Sequence, residues 1–288
     1  MSNRLWLLLL PVLLFTNTSH PAKADGNIVH FRTADIPPTS FQAKRAKAKG
    51  QVAPAIPGQD LLGYLYEPVK EGKHPALVLL VSSDGLQNSH RQWAQTISDN
   101  GFVVLLVDSY GSRGHIDYRG LGTLPWTDDG IAAGNYLSAL KTVLPEKIGI
   151  MGFSAGAIAI LALLDETREW KDAKINFKVG VTIYPLCNPD DKYISPILMV
   201  TGGADGFVGQ KACRDYSANA KAANYDVTYI LYPEAIHFFD NPNYSKDPKI
   251  RGKTGNLPLW FNAHDYNPEI HKDSITRVIS FLTTMLAS

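Results

Sequence analysis

The stretch from Lys147 to Leu164, KIGIMGFSAGAIAILALL, constrains this chain more than any other. Lys147 to Met151 reads as a buried strand. Gly152-Phe153-Ser154-Ala155-Gly156 is a G-x-S-x-G pentad, and Ala157 to Leu164 is apolar almost throughout, as a buried helix should be. A bare pentad arises by chance in about one chain in ten of this length, so its context carries the weight. In a strand, sharp turn and helix, the middle residue sits at the tip in a strained conformation, and the flanking glycines leave room where strand and helix cross. Ser154 would then stand clear of the backbone at the C-terminal edge of a sheet, at a helix start that favours negative charge. The alternative is a glycine-rich strand-to-helix turn with a solvent-facing serine.

The surrounding chain fits a parallel sheet. Leu61–Glu67, Ala76–Ser82 (ALVLLVS) and Phe102–Asp108 (FVVLLVD) read as strands, the last two as central ones buried on both faces. Past the pentad, Lys178–Tyr184, Ile197–Thr201 and Val227–Tyr232 are shorter β-rich runs. Helices are expected at His90–Asn100, Thr127–Val143 (Thr127 as cap, Asp128 and Asp129 in the first turn), Gly209–Ala223 and Lys272–Leu286. Strands alternating with helices imply an α/β fold, mainly parallel with both faces covered. Asn27–Thr33 is a candidate edge strand. Residues 34–60, with Lys44, Arg45, Lys47 and Lys49, read as a surface excursion. The catalytic domain is expected over 61–288, with 25–60 as an N-terminal addition.

A serine hydroxyl needs a base to take its proton, and the base needs a carboxylate to orient it. In this architecture the order is Ser, acid, His, each just after a strand. Of the histidines beyond Ser154, only His237 closely follows a strand; His264 lies in a long irregular loop, and His271 starts the last helix, where exposure is expected. Asp205, in Gly202-Gly203-Ala204-Asp205, directly follows the Ile197–Thr201 strand, whereas Asp190 and Asp191 precede it, at the wrong edge. The candidate triad is Ser154, Asp205 and His237. An oxyanion would take one N–H from Ala155 and one from the Ser82–Gly85 turn, with Ser83 favoured.

These residues resemble the dienelactone hydrolase family of α/β-hydrolases, its exported members in particular, from about Leu61 to the C-terminus. The matching stretches are Pro75–Leu80, Asp108–Gly114, the pentad, Tyr184–Cys187, Gly202–Asp205, Cys213 and Tyr232–Asp240. The resemblance implies an α/β-hydrolase fold and places the family's triad on Ser154, Asp205 and His237. There are two departures. The family's name-giving enzymes carry a cysteine nucleophile where this chain has Ser154. Many relatives have His-Gly after the first central strand, where this chain has Val81-Ser82. The family also binds substrate carboxylate through arginine. Arg91 and Arg113 are the candidates, Arg113 being equally suited to tie the 109–126 connection.

The expected activity is hydrolysis of small carboxylic esters or lactones through an acyl-enzyme, with no metal or organic cofactor. A serine peptidase or amidase on the same triad, and a non-catalytic binding protein of this fold, are the alternatives. The 28 basic and 27 acidic residues leave a net charge of +1, so a nucleic-acid partner is not expected. Residues 1–24 read as a secretory signal: Arg4, an apolar Leu5–Phe15, then Ala22-Lys23-Ala24 before the cut. The apolar run is too short for an ordinary span of about 20 residues. The expected product is exported, in a bacterial periplasm, free of the membrane, and a monomer or homodimer. An oxidising compartment permits a Cys187–Cys213 disulfide; two buried thiols are the alternative. The Pro185–Ser195 connection is too short for a helical lid. Phe238, Phe239, Tyr244, Trp260 and Phe261 are candidates to wall the site or to join the core.

Overall fold

The computed structural model describes residues 26–119, 126–167, 174–188, 190–193, 196–244 and 266–287. The expected secretory signal, His264, Trp260 and Phe261 lie outside the described residues.

Eight strands form one sheet in the order β1-β2-β4-β3-β5-β6-β7-β8. They are β1 (Asn27–Arg32), β2 (Asp60–Tyr66), β3 (His74–Leu80), β4 (Val103–Asp108), β5 (Val143–Phe153), β6 (Gly180–Ile183), β7 (Ile197–Gly202) and β8 (Val227–Tyr232). β2 pairs antiparallel with both β1 and β4, and every other pairing is parallel. The central strands are continuously apolar over Ala76–Leu80 and Val103–Val107 because both faces are covered. Leu77, Leu79, Val104 and Leu106 pack under α2 (Asn88–Asp99) and α6 (Pro268–Leu282). Their alternates Val78, Leu80, Val103 and Leu105 belong to the core on the other face, which α3 (Trp126–Ser138), α4 (Ala155–Leu164) and α5 (Gln210–Ala222) cover. This is the α/β-hydrolase arrangement, and the parallel strands present their C-terminal ends along one edge.

Three local expectations change. Residues 34–60 contain a helix, α1 (Ser40–Lys47), started by a capping box. Thr39 accepts the Gln42 N–H at 3.2 Å, and Gln42 accepts the Thr39 N–H at 2.8 Å. Helix α1 buries none of its side chains, so no apolar stripe announced it. Helix α3 runs from Trp126 to Ser138, with Thr127 inside it, and Val143 opens β5. The last helix starts at Pro268, capped by the Asn267 side chain, and His271 within it is buried.

Candidate active site

Ser154 joins β5 to α4 with φ 47° and ψ −110°. The pentad glycines are needed for space. A Cβ on Gly156 would lie 2.7 Å from both the Leu80 and Val81 carbonyl oxygens, and one on Gly152 would lie 2.7 Å from the Gly156 carbonyl carbon. A second pair lets the β7 and β8 ends meet. A Cβ on Gly202 would strike the Ala235 oxygen, and one on Gly203 the Pro233 oxygen. The Ala204 N–H therefore reaches the Ala235 carbonyl at 3.0 Å, and the Asp205 loop lies against the loop carrying His237.

The three candidate residues form one chain of hydrogen bonds. The Ser154 hydroxyl lies 3.0 Å from His237 Nε2, and His237 Nδ1 lies 2.7 Å from Asp205 Oδ2. With its proton on Nδ1, His237 donates to Asp205 and accepts from Ser154. Asp205 Oδ1 accepts the Phe207 and Val208 N–H groups at 2.9 and 3.2 Å, which fixes the carboxylate's orientation. Burial alone would push the Asp205 carboxyl up. The His237 bond and charge, with the two backbone N–H groups, pull it below the ordinary carboxylate value. All three residues are buried.

Among the described residues, Ser154, Tyr184, Asn224 and Phe238 are the non-glycines with positive φ. Three of these four belong to the site, because the Tyr184 and Phe238 rings each lie 4.5 Å from the His237 imidazole. Strain held by the surroundings clusters where side chains must be aimed.

Behind Tyr184 sits a polar group that the sequence reading did not single out. Asp240, fully buried, accepts the Tyr184 hydroxyl and the Trp93 indole N–H, both at 2.8 Å. Burial raises its pKa, opposed by His271, Tyr184 and Trp93. Its partners come from α2 and from Tyr184 just after β6, so no local pattern marks the residue.

The Ser82–Gly85 turn forms, closed by the Gly85 N–H on the Ser82 carbonyl at 3.1 Å. Ser83 sits half-buried within it, and Ala155 opens α4. Of the two candidate arginines, Arg113 is held within the fold. Its guanidinium is engaged with both Asp129 oxygens at 2.8 and 2.9 Å, the Ser109 carbonyl at 2.6 Å and Gln59 at 2.8 Å. It ties its own segment to α3. Arg91 lies over the Tyr64 ring, 3.8 Å from its centroid. Phe238, Phe239 and Tyr244 are core residues, each at most 2% exposed. The Cys187–Cys213 disulfide is present and links the segment after β6 to α5. No group of three or more His, Cys, Asp or Glu among the described residues is arranged to hold a metal ion.

A strand-to-helix elbow at Ser154, Asp205 after β7 and His237 after β8, all on one edge of a largely parallel sheet, give the arrangement of the α/β-hydrolase class. The dienelactone hydrolase family model matches residues 61–286. The chain is 25% identical over 207 residues to a probable 2-oxo-3-(5-oxofuran-2-ylidene)propanoate lactonase of Bradyrhizobium sp., covering 63% of this chain and 80% of that protein. In fold it is similar to a dienelactone hydrolase-like promiscuous phosphotriesterase from metagenomic libraries (TM-score 0.62, 16% identity, 90% and 99% of the two chains). It is similar also to Thermogutta terrifontis esterase 2 (TM-score 0.56, 16% identity, 78% and 89%). The chain belongs to the dienelactone hydrolase family and is a carboxylic ester hydrolase.

Proposed function

We propose that this protein is an exported serine esterase that cleaves small carboxylic esters or lactones through an acyl-enzyme on Ser154. The observation that carries the reading is the chain of short bonds from Ser154 through His237 to Asp205. His237 takes the hydroxyl proton as Ser154 attacks the acyl carbon, then gives it to the departing alcohol. Asp205 holds the tautomer and stabilises the imidazolium. The Ala155 and Ser83 N–H groups receive the oxyanion. Water activated by His237 then releases the acid. The lactonase name of the Bradyrhizobium relative supports the inclusion of cyclic esters. Export is inferred from residues 1–24 and agrees with a disulfide between the two cysteines.

Ser154→Ala tests the reading. It should lower kcat on p-nitrophenyl acetate by about 10³-fold or more with the fold intact, and a fluorophosphonate should label the wild type at Ser154. Short acyl esters should be cleaved with higher kcat/KM than the palmitate, with no rate jump on emulsions. Retained activity in the alanine variant, or a label elsewhere, would refute the nucleophile assignment.

A further inference from the structure

Among the described residues, three aromatic rings lie against the His237 imidazole: Tyr184 and Phe238 at 4.5 Å, and Phe207 at 5.0 Å. Tyr184 and Phe238 are buried, at 1% and 2% exposure, so they support the imidazole from inside. Phe207 is 54% exposed, the one of the three that a ligand arriving from solvent can touch. Exposed apolar side chains are common on this surface, and Phe207 is set apart by lying against the His237 imidazole. Its position is also not a loose one. The Phe207 N–H is bonded at 2.9 Å to the same Asp205 carboxylate whose other oxygen holds His237. The ring is thus anchored to the acid-base pair by a single residue.

Chemistry says which half of an ester meets that ring. Ser154 and the oxyanion donors take the acyl carbon and its carbonyl oxygen. His237 must hand its proton to the alcohol oxygen as the acyl C–O bond breaks, so the alcohol departs beside the imidazole. A substituent on that alcohol extends past the imidazole toward whatever solvent-facing group lies against it.

We propose that Phe207 is a specificity-determining residue that seats the alcohol half of the substrate and favours leaving groups with an aromatic or bulky apolar face. The proposal rests on the serine-esterase reading. A hydrophobic contact of this size changes discrimination by about tenfold or more. Ethyl or methyl leaving groups offer the ring little apolar area and should gain little from it.

The test uses the whole protein with benzyl acetate, ethyl acetate and ethyl phenylacetate, followed by pH-stat titration. Phe207→Ala should lower kcat/KM for benzyl acetate about tenfold, chiefly through KM. Ethyl acetate and ethyl phenylacetate should stay within about twofold of wild type, and Phe207→Trp should retain the benzyl preference. An equal loss on benzyl and ethyl acetate would overturn the proposal, since the ring would then only prop His237. A loss confined to ethyl phenylacetate would overturn it by placing the ring on the acyl side. If wild type hydrolyses the three esters and is labelled at Ser154 by a fluorophosphonate, any such failure belongs to Phe207 alone. If it does neither, the serine-esterase reading falls and this proposal with it.

Discussion

The Asp84 carboxylate accepts the Tyr244 hydroxyl at 3.0 Å, across 160 residues of chain. Its other oxygen accepts the Ser82 hydroxyl. Beside this clasp, the Asn243 amide donates to Gln87 at 3.2 Å, and the Tyr244 ring stacks on Phe238 at 4.6 Å, next in sequence to His237. The turn that carries the proposed oxyanion donor Ser83 is therefore tied to the histidine's own segment. Burial lifts the Asp84 carboxyl to about 6, against the pull of Ser82 and Tyr244.

Tyr244→Phe keeps the stacked ring and removes the tie. The loss of a hydrogen bond to a carboxylate should cost about 1.5–3 kcal/mol of stability. If the clasp positions the turn, kcat should fall by more than KM changes, since an oxyanion donor acts mainly in the transition state. Denaturant unfolding and steady-state kinetics on one preparation check both. An unchanged kcat beside the expected stability loss would limit the clasp to holding the fold.

His90 makes stability depend on acid. It is buried, its Nδ1 accepts the Gln87 N–H at 3.1 Å, and its ring packs 4.9 Å from Phe153. Burial pushes its pKa down to about 3. Between pH 6.5 and 3 the unfolded chain binds a proton there that the folded chain refuses. The contribution is full above about pH 6.5 and is lost as pH falls toward 3, at about 1.4 kcal/mol per unit. Urea unfolding from pH 7 to 4 should give a slope shallower by about one proton in His90→Gln than in wild type. Parallel slopes would mean that His90 is protonated in the fold.

The Cys187–Cys213 bond closes a sequence separation of 26 residues. Cys213 lies in the first turn of α5, soon after the Asp205 loop. On the chain-entropy model such a closure stabilises by about 3.5 kcal/mol. Replacing both cysteines by alanine should lower the melting temperature, and activity should decline at temperatures where wild type still works. Calorimetry and activity against temperature decide it; an unshifted melting curve would show that packing alone braces this loop.

Arg113 and Asp129 form a bidentate pair with side chains 10% and 0% exposed. Arg113→Ala leaves a buried carboxylate alone and should cost about 3–5 kcal/mol. Arg113→Met with Asp129→Leu should recover much of the loss, because replacing both partners removes the orphan charge. Arg113→Met with Asp129→Leu should also leave the KM ratio of a carboxylate-bearing ester to its neutral analogue unchanged. A rise in that ratio would return Arg113 to substrate binding.

Much of this arrangement was legible in the chain. The continuous apolar runs of β3 and β4 reported strands buried on both faces, since each residue's environment there is apolar whichever way it points. The pentad, the glycine pair before Asp205 and the strand before His237 marked the turns, because those sites demand particular residue types locally. The α1 capping box is equally readable in Thr39-Ser40-Phe41-Gln42, although the helix has no apolar stripe to go with it. The sequence by itself thus determined the strand-helix alternation, the elbow and the order of the three candidate catalytic residues.

Tertiary structure alone decided the pairings. Nothing near Asp240 in the chain announces that it takes Trp93 and Tyr184, 147 and 56 residues away. Nor does Arg113 carry a mark showing that Asp129 faces it. Periodicity and turn chemistry are set within a few residues, whereas a partner is whatever the crossing of distant segments brings within about 3 Å. His271 is buried for the same reason: α6 lies across the sheet, and only that packing decides which of its faces meets Trp93.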